Sequence, residues 1–292
     1  MDQANRLRDI VMSNKKEEDY NFKSRLITVT SGKGGVGKSN FTLNLAIQLS
    51  LQGQKVIIID ADFGMANIEV LFGIVPKKGL LNVLSGENQI SEVITDGPEG
   101  VKFISGGSGF TDLAALNDKQ LEYMLESFTY LDSMFDIILI DTGAGASNQV
   151  VNLVKASKET IIVTTPEPTS LTDAYAMIKI IKDKKISVPE MFIVINRVDD
   201  KKEGEEIYLK LNRVSHRFLG LELKLLGYIP NDDMLVKAVK AQKPVSLLYP
   251  KAASSKSIVN ISRDMLSKDH FSFEESSSGA GFLSRLAGLF GR

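Results

Sequence analysis

The sequence predicts an α/β domain built on a mostly parallel, doubly wound sheet flanked by helices. Two observations carry that reading. Short runs at 26–30, 56–60, 101–105, 137–141, 160–164, 192–196 and 223–229 are mostly apolar at consecutive rather than alternate positions. Strands covered on both faces of a parallel sheet read that way. Between the runs lie helical patterns at 38–51, 117–132, 147–156, 169–184, 203–219 and 232–241, read as amphipathic. Strand and helix alternating this often means an open sheet with helices on both faces. On such sheets ligands bind at the carboxyl ends of the strands, so functional residues are expected just after the runs.

Residues 1–24 are polar and contain Lys15, Lys16, Glu17, Glu18 and Asp19. They are predicted to form a flexible tail, with room for a short helix, ahead of a domain spanning 25–268. The first strand, 26–30, runs into a glycine loop and then the helix at 38–51. The strands at 56–60 and 137–141 both end in aspartate, and the one at 192–196 ends in asparagine. After the last strand and helix, residues 269–281 turn Ser- and Gly-rich, the composition of a flexible linker. The final stretch, 282–292, is apolar again.

The 292 residues are 43% hydrophobic and 24% charged, enough to bury a large core. Thirty-five basic against 36 acidic residues give a formal net charge of −1, which argues against a surface built wholly to hold nucleic acid. The absence of cysteine removes disulfides, thiolate zinc sites and thiolate-held iron–sulfur clusters, and fits a reducing cytosol. The two histidines, His216 and His270, are far apart, so a multi-histidine metal site is not expected. The charged N-terminus has no signal-peptide apolar core and no run of 18 apolar residues occurs, so a soluble chain is expected.

Gly32-Lys33-Gly34-Gly35-Val36-Gly37-Lys38-Ser39 satisfies G-x-x-x-x-G-K-[ST] between a strand and a helix, the context that gives the pattern its meaning. Glycines let successive N–H groups turn inward around an anion, and the helix N-terminus adds partial positive charge. Lys38 is expected to reach the β- and γ-phosphates, Ser39 to ligate magnesium, and Asn40 to continue the phosphate-binding turn. Asp60 and Asp62 sit at i and i+2 beyond a strand, where two carboxylates can face one pocket. Asp141, delivered by a buried strand, is expected in the magnesium shell, followed by Gly143 and Gly145, whose backbone can approach a γ-phosphate.

Lysine at position 33, in the spelling KGGVGKS, resembles the deviant phosphate loop of the MinD/ParA superfamily. The resemblance implies an ATPase in which the residue matching Lys33 reaches the partner's phosphates across a nucleotide-sandwich homodimer. It implies that Asp62 orients or deprotonates the attacking water, and that Asp60 is a magnesium-side or structural carboxylate. D-T-G-A-G at 141–145 fits the superfamily's second switch. Asn196-Arg197-Val198-Asp199 has two readings: N-[KR]-x-D looks like the guanine-reading motif of GTPases, whereas MinD-like ATPases use the asparagine to read adenine. The loop spelling favours ATP, with ADP left in the monomer and a further base contact expected from Pro230-Asn231-Asp232.

In 282–292, Phe282, Leu283, Leu286, Leu289 and Phe290 form one helical stripe, with Arg285 and Arg292 off it. That suits an interfacial helix binding anionic lipid weakly, with the domain itself as the alternative dock. MinD-like proteins carry such a targeting helix, which implies a cytoplasmic chain peripheral on the inner membrane face in its ATP state. Asp2-Gln3-Ala4-Asn5-Arg6-Leu7-Arg8 resembles the DQAxxLR element of the FlhG (FleN/YlxH) family, MinD-like ATPases that set flagellar number and position. There the element stimulates a signal-recognition-particle-type GTPase, FlhF, which marks Gln3, Arg6, Leu7 and Arg8 as partner-activating residues. Other readings are a MinD-type cell-division regulator and a ParA-type DNA-partition ATPase. The latter rests on Lys237, Lys240 and Lys243, a spacing more often solvated than bound to nucleic acid. A nitrogenase iron protein shares the Lys33-type loop but needs cysteine ligands, which this chain lacks.

Overall fold

A computed structural model describes residues 23–62, 67–107, 117–183 and 188–267. The expected tail with Gln3, Arg6, Leu7 and Arg8, the linker, and the terminal stripe of Phe282, Leu283, Leu286, Leu289 and Phe290 lie outside the described residues. The strands are β1 Arg25–Ser31, β2 Val56–Ala61, β3 Thr95–Asp96, β4 Lys102–Ile104, β5 Ile137–Ala144, β6 Glu159–Thr164, β7 Glu190–Val198 and β8 Lys224–Pro230. They form one sheet in the order β3-β4-β2-β5-β1-β6-β7-β8, in which β3 against β4 is the antiparallel pair. The predicted runs all became strands. The added edge strand β3 is two residues long, too short for any hydrophobic period to announce it.

The helices are α1 Lys38–Leu51, α2 Asn67–Phe72, α3 Leu80–Leu84, α4 Ile90–Val93, α5 Asp118–Met134, α6 Asn148–Ala156, α7 Pro168–Asp183, α8 Lys201–Leu219, α9 Asp233–Lys240, α10 Val245–Leu248 and α11 Ala253–Leu266. Consecutive strand residues serve opposite faces, as the two-residue period requires. Ile58, Leu139, Ile161 and Val194 join the core on the α1 and α11 side. Ile57, Ile138 and Ile140 meet α3 and α5, while Ile162 and Ile193 meet α7 and α8 on the other face. Both faces are therefore dry, which is why the runs show no polar alternation.

One helix differs from expectation, and its cause is a helix the sequence reading did not find. The segment 38–51 is not amphipathic in place: every residue from Phe41 to Leu49 is buried. The reason is α11, which packs beside α1 on the same face of the sheet and contributes Ile258, Ile261 and Met265 to the same core. Its opening, Ala253-Ser254-Ser255-Lys256-Ser257, has weak helix propensity. Yet Ser254, Ser255 and Ser262 are buried, and these small side chains admit close packing. On β8, a side chain at Gly227 would put its Cβ 2.7 Å from Ile261 Cγ1, so glycine is what lets α11 lie against the strand.

Candidate functional site

The carboxyl ends of β1, β2, β5, β7 and β8 surround a cavity of about 1100 Å³. Gly34, Gly35, Val36, Gly37, Lys38, Ser39, Asn40, Asp62, Gly143, Asn196, Arg197, Pro230, Asn231 and Asp232 all line it. These residues were singled out from five separate stretches of sequence, and the fold brings them to one place. Gly32, Lys33, Asp60, Asp141 and Gly145 are not in its lining.

The loop from β1 to α1 is shaped by glycine. Gly35 and Gly37 have φ of 78° and 92°, a left-handed backbone that side chains disfavour. Gly37 caps α1 with no side-chain hydrogen bond, so the cap residue itself leaves the helix's first N–H groups without an acceptor. That arrangement is a bare anion-binding terminus. Gly32 is needed for a different reason: any Cβ there would overlap the backbone of Asp173 and Ala174, so the start of the loop lies directly on α7.

Below the loop sits a buried ion pair. Lys38 Nζ lies 2.8 Å from Asp141 Oδ1, with the side chains 7% and 0% exposed. Thr42 Oγ1 donates to the same oxygen at 2.9 Å, and Lys38 Nζ donates to Ser39 Oγ at 3.2 Å. Asp141 Oδ2 is buried without a hydrogen-bond partner. Lys38 Nζ thus bonds both the Asp141 carboxylate and the Ser39 hydroxyl, and carboxylate and hydroxyl oxygens are donors that suit a hard divalent cation.

Asp60 pairs in register with Asp141 across β2 and β5 but does different work. Its Oδ1 accepts the Asp62 amide at 3.1 Å, and its Oδ2 accepts the Asn67 and Ile68 amides at 3.0 and 3.1 Å. Burial first, and then the neighbouring Asp141 charge, push its carboxyl up to about 7 against the pull of these donors. Of the two alternatives for Asp60, magnesium side or structural, these bonds favour the structural one, because both oxygens hold the backbone that enters α2. Asp62 is the member of the pair that reaches the cavity. Asn67 Nδ2 donates to its Oδ2 at 3.2 Å, and a Cβ on Gly143 would lie 3.6 Å from its Oδ1.

The remaining motif residues lace neighbouring loops together. Asn196 Nδ2 donates to the Val36 carbonyl at 2.7 Å, while its Oδ1 accepts the Arg197 amide. Arg197, itself at φ 61°, donates from its guanidinium to the Gly35 carbonyl at 2.8 Å. The end of β7 thus braces the phosphate loop, and Asn196 keeps one N–H and one lone pair for a base. The Gly145 amide is taken by the Ser31 carbonyl at 2.8 Å, which ties the end of β5 to the end of β1. Asp232 accepts the Met234 amide through Oδ1 and the Ser254 amide and hydroxyl through Oδ2, so its carboxylate caps both α9 and α11.

Lys33 points along the surface to α7. Its Nζ lies 2.8 Å from Glu167 Oε2 and 3.0 Å from Thr169 Oγ1. The lysine's hydrogen bond and charge hold the Glu167 carboxyl below its usual range. With the two side chains 38% and 55% exposed, the pair is solvent-screened and cheap to break. Glu167 and Thr169 were missed in the sequence, although they follow β6 at a carboxyl end, where functional residues were expected. Also missed was the apolar wall of the cavity, made by Val70 and Leu71 of α2 and Leu235, Val236 and Val239 of α9. Lys237, Lys240 and Lys243 are exposed and make no ion pair among the described residues.

Residues 23–266 match the ParA family model, described as the NUBPL iron-transfer P-loop NTPase. The antiactivator FleN of Pseudomonas aeruginosa is 36% identical over 231 residues, 79% of this chain and 82% of that protein. The flagellum site-determining protein YlxH of Helicobacter pylori is 37% identical over 270 residues, 91% of this chain and 90% of that protein. Among solved structures, the cell division ATPase MinD of Pyrococcus furiosus superposes with a TM-score of 0.67 at 26% identity, covering 83% of this chain and 98% of that one.

The double cap yields a pH-dependent prediction. Burial pushes the Asp232 carboxyl up, but the amides of Ser254, Met234 and Ala253 and the Ser254 hydroxyl outweigh it and hold it below the usual range. A carboxyl with a depressed folded pKa adds stability above its unfolded value and loses it as pH falls through the folded one. Asp232→Ala is therefore expected to lose about 1–2 kcal/mol at neutral pH. In urea unfolding, the gap to the unsubstituted protein should close as the pH falls below about 4.

Proposed function

The chain belongs to the ParA/MinD family of P-loop NTPases, and on that premise we propose that it is an ATP-driven switch regulating flagellum number or placement. The observation that carries the ATPase reading is the bare N-terminus of α1 above the buried Lys38–Asp141 pair. In this reading the N–H groups of 34–39 hold the phosphates and Lys38 exchanges part of its bond to Asp141 for the β- and γ-oxygens. Ser39 and Asp141 are the side chains that would hold magnesium, which neutralises charge building on the phosphates when bound. The open Asp141 oxygen supports that choice.

Asp62 faces the cavity and is the group we assign to orient the attacking water or take its proton. Adenine is assigned to the pocket between Asn196 and Arg197 on one side and Pro230, Asn231 and the Asp232 backbone on the other. Lys33 is assigned to a second copy of the chain. Its screened contact with Glu167 is weak enough to yield to a partner's phosphates. Hydrolysis is then slow in the monomer and dependent on dimerisation.

Flagellar regulation rests on the FleN and YlxH likeness over 79% and 91% of the chain. Residues 282–292 are proposed to bind the inner membrane face, with Phe282, Leu283, Leu286, Leu289 and Phe290 toward the lipid. A dimer presents two such helices at once, which turns weak binding into strong. No helix of the described residues is long and apolar enough to cross a membrane. The tail, through Gln3, Arg6, Leu7 and Arg8, is proposed to stimulate an FlhF-like GTPase of the signal-recognition-particle type.

Asp62→Ala is expected to lower ATP turnover by roughly a hundredfold or more while nucleotide binding stays intact; unchanged phosphate release would move the water-orienting role elsewhere. Sedimentation with anionic liposomes should recover the full chain, mainly with Mg-ATP, and should not recover a chain lacking 282–292. Equal recovery of both chains, or of neither, would reject the membrane switch.

A further inference from the structure

The charge that the ATPase reading leaves unused lies on the second half of α8. From residue 207 to 219 this helix carries no acidic residue, and Lys210, Arg213 and Arg217 are all exposed. Leu209, Arg213 and Arg217 follow one another at four-residue spacing, so they share a stripe. Leu209 is 48% exposed and Phe218, at the end of the helix, is 65% exposed. The Arg217 guanidinium lies over the Phe218 ring at 5.3 Å. Among the described residues, no ion pair engages Lys210, Arg213 or Arg217, whereas the acidic first half of the helix pairs Lys202 with Glu206.

The position of this face matters as much as its charge. The helix leaves the carboxyl end of β7 and returns at Gly220 to start β8, so its second half lies where the strands begin. The described domain joins the rest of the chain at the same pole. The Ser24 amide and hydroxyl bond Asp132, and the Arg25 guanidinium donates to the Met265 carbonyl at 2.7 Å. Residues 23 and 267 therefore leave close together. Ion pairs run along the strand starts from there toward β8: Arg25 with Glu159, then Glu190 with Lys224, with Glu159 and Glu190 opposite in register. Three strand spacings, about 15 Å, separate the start of β1 from that of β8. These pairs cancel Glu159 and Glu190, and the turn into β8 sets the single acid Glu222 against the three cations.

We propose that this pole is a second membrane contact: Lys210, Arg213 and Arg217 lie against anionic headgroups, with Leu209 and Phe218 at the interface. The inference rests on the reading of 282–292 as the membrane-binding helix; the described residues end, at 267, at this same pole. A negatively charged bilayer supplies what three unpaired cations beside two exposed apolar side chains lack. The nucleotide cavity lies at the other end of the strands and stays open to solvent and partners. The surface contact would fix how the domain sits on the membrane, where the terminal helix on its linker would only tether it.

The test uses the full chain and its K210Q/R213Q/R217Q variant, which changes only exposed side chains. Both are sedimented with vesicles of phosphatidylcholine alone and of phosphatidylcholine mixed with phosphatidylglycerol, in Mg-ATP at low and high salt. The variant is expected to bind the mixed vesicles roughly a hundredfold more weakly at low salt. High salt should bring the unsubstituted chain toward the variant, and ATP binding should not differ between the two. Equal binding of both chains to the mixed vesicles overturns the proposal and leaves the terminal helix intact. Failure of the unsubstituted chain to bind either vesicle removes the helix reading and this proposal with it. A variant that keeps lipid binding but loses retention of duplex DNA would assign the face to nucleic acid instead.

Discussion

The site depends on one buried ion pair. Lys38 and Asp141 meet at 2.8 Å with both side chains buried, and each would be costly to bury there without the other. Removing one partner of such a pair typically costs about 3–5 kcal/mol, because the other charge is left buried. The pair exists because β1 and β5 are neighbours: β1 delivers the loop that ends in Lys38, and β5 delivers Asp141. Asp60 arrives beside them in register from β2 and adds a second carboxyl to a region with one ammonium. Three backbone donors on Asp60 offset part of this, but burial first and the Asp141 charge second still leave its carboxyl raised. Phosphate oxygens and a divalent cation would relieve an arrangement that is electrostatically unfinished.

Around this pair, the loops are fastened to one another rather than only to the sheet. Asn196 and Arg197 hold the carbonyls of Val36 and Gly35, Gly145 holds Ser31, and Gly32 rests on the backbone of α7. Any change in the phosphate loop therefore reaches the ends of β5 and β7 and the start of α7 through direct contacts. Lys33 is the exception. Its side chain leaves the loop and, among the described residues, bonds to the exposed Glu167 and Thr169, which are cheap bonds to exchange. A tightly braced loop carrying one loosely held cation is what a site completed by a second copy of the chain needs.

Much of this was legible in the sequence. The strand runs, the phosphate loop and the aspartates after β2 and β5 were found because a buried parallel strand and a glycine-rich anion loop impose residue types at fixed positions. Helix α11 was not, because its serines pack by being small, a property with no periodic signal. The same blindness made α1 look amphipathic, since nothing in residues 38–51 tells that a second helix packs beside it. The division of labour between Asp60 and Asp62 was not legible for a related reason: two aspartates at i and i+2 are equivalent in sequence, and the fold separates them by giving one the amides that lead into α2. Asn196 and Asp232 were read as base contacts, and the structure adds bracing and capping bonds that depend on residues far away in the chain. The roles of the tail and the terminal helix rest on family resemblance, because short polar and amphipathic segments carry little physical specificity of their own.

The central claim is that the ATP-bound site is built by two chains, with Lys33 crossing between them. Sedimentation velocity of the full chain and of Lys33→Ala, each in Mg-ATP and in ADP, tests it most directly. The account predicts a dimer for the unsubstituted chain in Mg-ATP alone, and a monomer for Lys33→Ala that still binds ATP. A Lys33→Ala dimer as stable as the original, or an original chain that stays monomeric in Mg-ATP, would contradict it.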